Sequence, residues 1–160
     1  MARKSKAAAD GKKIVAHNRR ATHDYELHER LEVGVVLRGS EVKALRAGAA
    51  HLSEAYVQVQ DGEAFLIGAH IAEYLQANRM NHPTERTRKL LLHRRQIDKL
   101  EVETRQKGQV AVPIMLYFNA EGRVKLEIGV GKGRATYDRR QAIKARDVQR
   151  EVAREIGRRR

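Results

Sequence analysis

The chain has 160 residues, 33 Lys/Arg against 20 Asp/Glu, and no cysteine, which excludes disulfides and thiolate metal sites as supports for the fold. Positive charge is confined to the ends: residues 1–20 carry 7 basic residues against 1 acidic, residues 131–160 carry 11 against 4, and residues 21–130 carry 15 of each. A neutral body with two cationic arms points to a polyanion as partner, and RNA or DNA is the obvious one.

The first segment, 1–20, reads as a basic N-terminal arm. Met1-Ala2-Arg3-Lys4-Ser5-Lys6 has no apolar stretch behind it, so it does not read as a secretory signal. The body, 21–130, is long enough for one domain with its own core. In chain order it predicts a weak strand at Asp24–His28, a helix over Glu29–Leu37 from the four-residue spacing of Leu31 and Val35, and a weak strand at Ser40–Arg46 before the turn Ala47-Gly48. Ala55, Val57 and Val59 then alternate with Tyr56, Gln58 and Gln60. The dipeptide Asp61-Gly62, which tolerates two positive φ values, joins that strand to Glu63–Gly68 as a type I′ hairpin.

After Pro83, Thr84–Lys107 is rich in helix formers, with a change of face near His93, where Gln96 is placed to close a capping box. A second hairpin joins Val110–Phe118 to Arg123–Val130 through Asn119-Ala120-Glu121-Gly122. Val124, Leu126, Ile128 and Val130 face one way on its second arm, which sets Lys125 on the open side. The longest apolar run, Val110–Phe118, is too short to span a bilayer and contains Pro113. Six strands in hairpins with two or three helices predict a mainly β protein built on a small antiparallel barrel.

Gly131-Lys132-Gly133 reads as a flexible exit into a tail, 131–160, whose Ala145, Val148, Val152 and Ile156 recur at helical spacing on a cationic background. A lone helix of this kind is marginal in water, so the tail is expected to be disordered alone and helical on a surface offering anions and an apolar contact.

Six of the seven aromatic residues lie in or beside apolar segments, so stacking on single strands is not the main mode of binding. Backbone, shape and charge carry recognition instead, as for folded RNA. Tyr137 is the exception, sitting in the tail among Arg134, Asp138, Arg139 and Arg140. Arg86, Arg88, Lys89, Arg94 and Arg95 form the one basic concentration in the body and are expected to face RNA.

His23, Asp24, Glu26 and His28 do not make a convincing metal site, because positions 23 and 28 face opposite sides of a strand. No nucleophile elbow, phosphate-binding loop or spaced carboxylate pair appears, and Gly129–Gly133 is glycine-rich without a phosphate-loop pattern. No enzyme, cofactor or metal is expected; an RNA-processing enzyme on a small barrel would need such a constellation. A small-subunit ribosomal protein is the alternative RNA-binding reading.

Four strings narrow the reading. Asn18-Arg19-Arg20-Ala21, Gly39-Ser40-Glu41-Val42-Lys43-Ala44-Leu45-Arg46-Ala47-Gly48, Arg86-Thr87-Arg88-Lys89-Leu90-Leu91-Leu92 and Gly129-Val130-Gly131-Lys132-Gly133 resemble, in order from about Ile14 onward, the bacterial small protein B (SmpB) family. The resemblance implies a six-stranded antiparallel OB-like barrel with about three helices. It implies binding to the tRNA-like domain of tmRNA, and delivery of that RNA with elongation factor Tu to stalled ribosomes in trans-translation, in the cytoplasm. The tail would enter the empty mRNA channel along small-subunit rRNA.

By the same resemblance, RNA contacts fall on Asn18, Arg19, Glu32, Arg46, Lys125, Lys132 and Arg134, with Leu92 shaping the surface beside them. Tyr137, Asp138, Arg139 and Arg140 take the place of the decoding-centre motif. Here Tyr137 stands for the histidine common in relatives, Arg139 for lysine, and Val148 for a frequent tryptophan.

Overall fold

The computed structural model describes residues 11–76, 81–134 and 136–158, with the side chains of 136–143 outside the description. Elements follow in the order β1 (Lys13–His17), α1 (Arg19–Asp24), β2 (Tyr25–Val35), α2 (Gly39–Arg46), β3 (Ala50–His51), β4 (Tyr56–Gln60) and β5 (Glu63–Ile67). Then come β6 (His70–Ile71), β7 (Arg88–Leu91), α3 (Arg94–Arg105), β8 (Gln109–Phe118), β9 (Val124–Gly133) and α4 (Thr136–Arg158). Six strands close into an antiparallel ring in the order β8-β4-β5-β7-β2-β9, sealed by the β8–β9 pairing.

The edge of β8 not taken by β9 is shared between two strands. Ala111 pairs with Val57 of β4, while Met115–Phe118 pair with β1. Strands β3 and β6 form a separate small ladder.

Three expectations change. The segment 29–37 is not a helix but the second half of the eleven-residue strand β2. A spacing of four satisfies both the 3.6 and the 2.0 periods, and Val33, buried between Leu31 and Val35, decides for the latter. Ser40–Arg46 lies in a helix, because Glu41, Ala44 and Leu45, at i, i+3 and i+4, are the buried positions. The stretch before His93 is strand β7, with Arg88 and Leu90 inward and Lys89 and Leu91 outward. The barrel therefore has six strands as expected, with β7 in the place assigned to Ser40–Arg46. The helical restart at His93 holds, and Gln96 Oε1 accepts from the His93 N–H at 3.0 Å.

The core is the inward face of the ring. Leu126, Ile128 and Val130 of β9 are fully buried and meet Val33, Ala64, Leu66 and Leu90 from the facing strands, with Leu45 of α2 and Leu100 of α3 joining the same cluster. Each fully buried leucine or isoleucine contributes about 1.5–3 kcal/mol. Asp61 and Gly62 take φ of 51° and 73°, the two positive values a type I′ turn demands.

The glycine run at the end of β9 is a packing device rather than a flexible exit. Gly131 and Gly133 continue the β2 ladder opposite Leu27 and Tyr25, and His28 is the extra residue of a bulge between Leu27 and Glu29. A methyl at Gly131 would run into the Glu26 carbonyl oxygen, and one at Gly129 would meet Leu27 Cδ1 at 2.7 Å. The tail carries helix α4, the conformation expected of it on a surface, with Val148, Val152 and Ile156 each more than half exposed.

Candidate nucleic-acid interface

Two surface grooves carry Asn18, Arg19, Glu32, Leu92 and Lys125, five of the eight residues that the resemblance assigns to RNA contact. The first, about 520 Å³, runs between β2, β7, β9 and the start of α3, and is lined by Glu32, Lys89, Leu91, Leu92, His93 and Lys125 among others. The β2–β9 register brings Gly34 opposite Lys125 and Glu32 opposite Glu127. Glu127 is held by Arg30 at 3.3 Å, which offsets the like charge across the ladder. Glu32 accepts a hydrogen bond from the hydroxyl of buried Tyr117. Burial, then that carboxylate, pushes the phenol's ionisation well above its ordinary range.

The second groove, about 400 Å³, is lined by His17, Asn18, Arg19, Arg20 and residues 50–53. Asn18 is buried there, and its side chain is occupied: the amide donates to the carbonyls of Leu52 (3.2 Å) and Pro113 (3.0 Å), and Oδ1 accepts from Ala21 N–H at 3.3 Å as the cap of α1. Asn18 thus fixes where Arg19 sits. Arg134 is tied to the other end of α1 by its N–H on the Asp24 carbonyl, 2.9 Å, and Lys132 pairs with Glu26 in the adjoining ladder. Arg46 stands exposed at the end of α2. The side chains of Tyr137, Asp138, Arg139 and Arg140 lie outside the described residues.

Ion pairing sorts the cations. Arg20, Arg30, Arg86, Arg88, Lys89, Arg94, Lys99, Arg105 and Arg123 each have an acidic partner. Arg19, Arg46, Lys125, Lys132 and Arg134 have no such pair among the described residues, and neither do Lys13, Arg38, Arg95, Lys107 and the described cations of α4, nor Lys12 and Lys43, which lie over the rings of Tyr117 and Tyr74. A cation already neutralised by a carboxylate releases fewer counterions on meeting a phosphate, so the unpaired ones are the better phosphate ligands.

The cluster 86–95 is corrected accordingly. Arg88 is fully buried: its Nε donates to Glu41, and its Nη atoms donate to the carbonyls of Ala69 (2.8 Å), Arg86 (2.9 Å) and Thr84 (3.1 Å). Arg86 donates to the other Glu41 oxygen. These two arginines bind α2 to the barrel and do not face RNA, whereas Arg95 remains exposed and unpaired.

His23 sits 2.9 Å from Asp24, whereas His28 turns through the bulge toward Glu29 and Glu103, with its Nε2 3.8 Å from Glu103. The Lys99 ammonium lies 2.8 Å from Glu29 and, chiefly by that hydrogen bond, holds its carboxyl below the usual range. The cluster thus already has its cation. No helix among the described residues is long and apolar enough to cross a membrane.

Comparison with known proteins bears on the same residues. The family described as SmpB protein matches residues 15–158. An SsrA-binding protein of Salinispora tropica is 51% identical over 149 residues, covering 93% of each chain. One from Symbiobacterium thermophilum is 50% identical over 142 residues, 89% of this chain and 90% of the relative. A chain solved in work described as "tmRNA-SmpB: a journey to the center of the bacterial ribosome" superposes with a TM-score of 0.64 at 40% identity, covering 75% of this chain and 84% of that one.

Proposed function

The chain belongs to the SmpB family, and from that premise we propose that it is an RNA-binding protein of ribosome rescue. It binds the tRNA-like domain of tmRNA and helps bring that RNA to stalled ribosomes for trans-translation, with α4 entering the empty mRNA channel. The observation that carries the reading is the sorting of charge. Nine body cations are held in ion pairs, and those without an acidic partner among the described residues include all five that the family resemblance assigns to RNA: Arg19, Arg46, Lys125, Lys132 and Arg134. Phosphate contacts from such cations position the RNA, while the groove around Glu32 and Leu92 contacts the shape of its folded loops.

Asn18 acts here through its cap on α1, which presents Arg19. Tyr137, Asp138, Arg139 and Arg140, at the start of α4, meet the decoding centre in this reading, and the remaining basic surface of α4 tracks small-subunit rRNA. Elongation factor Tu accompanies the alanine-charged RNA in the delivery complex. The protein works in the cytoplasm, where ribosomes stall, and contributes binding rather than a chemical step.

The test is fluorescence-detected binding of the full chain to a tRNA-like RNA, beside peptide tagging on ribosomes stalled at a truncated message. Affinity should fall when the elbow loops of the RNA are opened, and tagging should require the protein. Equal affinity for single-stranded RNA of the same length, or tagging without the protein, overturns the reading.

A further inference from the structure

Tyr117 is a buried polar group whose hydroxyl donates to a carboxylate on another strand. Its side chain is almost wholly covered, and the Lys12 ammonium lies 4.8 Å from the ring centroid. The partner of its hydroxyl, Glu32, sits on a different strand and is itself exposed at the first groove. Glu32 makes no other hydrogen bond or ion pair among the described residues, so one carboxylate oxygen is taken and the other is open. An exposed glutamate ordinarily samples several rotamers, and ordering it on binding costs affinity. A rigid donor fixed in the barrel wall removes that cost beforehand.

We propose that Tyr117 is the positioning residue for Glu32, holding its carboxylate so that the open oxygen accepts a hydrogen bond from a nucleotide donor, a base N–H or a 2′-hydroxyl. The inference rests on the proposed function and deepens it. A phosphate does not fit at Glu32 itself, because the carboxylate repels it. Lys125 lines the same groove and takes the phosphate. Recognition then depends on a donor presented beside a phosphate, a pairing that unstacked bases of folded loops supply. The buried phenol stays protonated, so the hydroxyl remains a donor throughout the physiological pH range.

The experiment is a double-mutant cycle on the full chain, read by binding to a tRNA-like RNA and by thermal melting. Tyr117→Phe should weaken binding about three- to tenfold and leave the salt slope unchanged, because no phosphate contact is lost. On a Glu32→Ala background the same change should have no further effect. Glu32→Asp, which draws the carboxylate back from the phenol, should reproduce the loss and stands in if Tyr117→Phe does not fold. Equal weakening by Tyr117→Phe in both backgrounds assigns Tyr117 a purely structural role and overturns the proposal. Unchanged binding of Glu32→Asp overturns it too. If the unaltered protein fails to discriminate the tRNA-like RNA from a single strand, the functional reading itself falls, whatever the cycle shows.

Discussion

Glu41 is where α2 and the barrel are joined. Its carboxylate has no exposed surface, and it accepts from the Arg38 N–H (2.9 Å), from Arg86 and from Arg88. Burial pushes this carboxyl up, yet the Arg38 N–H and the two guanidiniums outweigh it and hold it below the ordinary range. A depressed pKa in the folded state contributes stability that is present above the unfolded value of 4.5 and lost as pH falls through the folded one. Glu41→Gln leaves buried Arg88 without its counter-charge and should cost about 3–5 kcal/mol. It should also remove part of the acid dependence below about pH 4.5, both read from urea melts between pH 3 and 7. Lys125 carries the complementary prediction. It has no ion pair to lose, so Lys125→Ala should leave the melting transition in place and lower the log–log salt slope of RNA binding by about 0.7–0.9.

Among the elements, β9 places the most residues of interest, and its glycines explain how. Gly131 packs against β2 closely enough that any Cβ strikes the Glu26 carbonyl. Gly131→Ala should therefore force the β2–β9 ladder apart near the His28 bulge and destabilise the protein by more than the roughly 1 kcal/mol typical of a point mutation. It should also displace Lys132 and weaken RNA binding together with stability. A melting temperature within 2 °C of the unaltered protein, by the scale on which about 1 kcal/mol moves Tm by several degrees, counts against this. The contrast is α4, 23 residues long with an exposed stripe of Val148, Val152 and Ile156. A peptide spanning 131–160 should show low helicity by circular dichroism in buffer, rising when RNA or a helix-promoting alcohol is added.

For the whole molecule, charge and shape divide the work. In the proposed function the body meets the tRNA-like RNA through its unpaired cations, and the tail carries a net positive charge of its own. Truncation after Thr136 should keep tmRNA affinity within a few-fold and abolish peptide tagging on stalled ribosomes. Normal tagging by the truncated protein would reduce the tail to a solubilising extension.

Charge segregation, the Asp61-Gly62 hairpin, the alternation of Val124, Leu126, Ile128 and Val130, and the restart at His93 were all legible in the chain, because each is a local pattern with a local physical cause. So were the four strings that resemble the family. Glu29–Leu37 and Ser40–Arg46 exchanged helix for strand because their short apolar spacings fit both periods, and only burial against a neighbour decides between them. The tertiary structure alone turned the arginines of 86–88 inward, since nothing local reveals that Glu41, 47 residues from Arg88, supplies their counter-charge. It also decided which cations stay unpaired, because pairing depends on which carboxylates the barrel brings within about 4 Å, and sequence distance does not encode that.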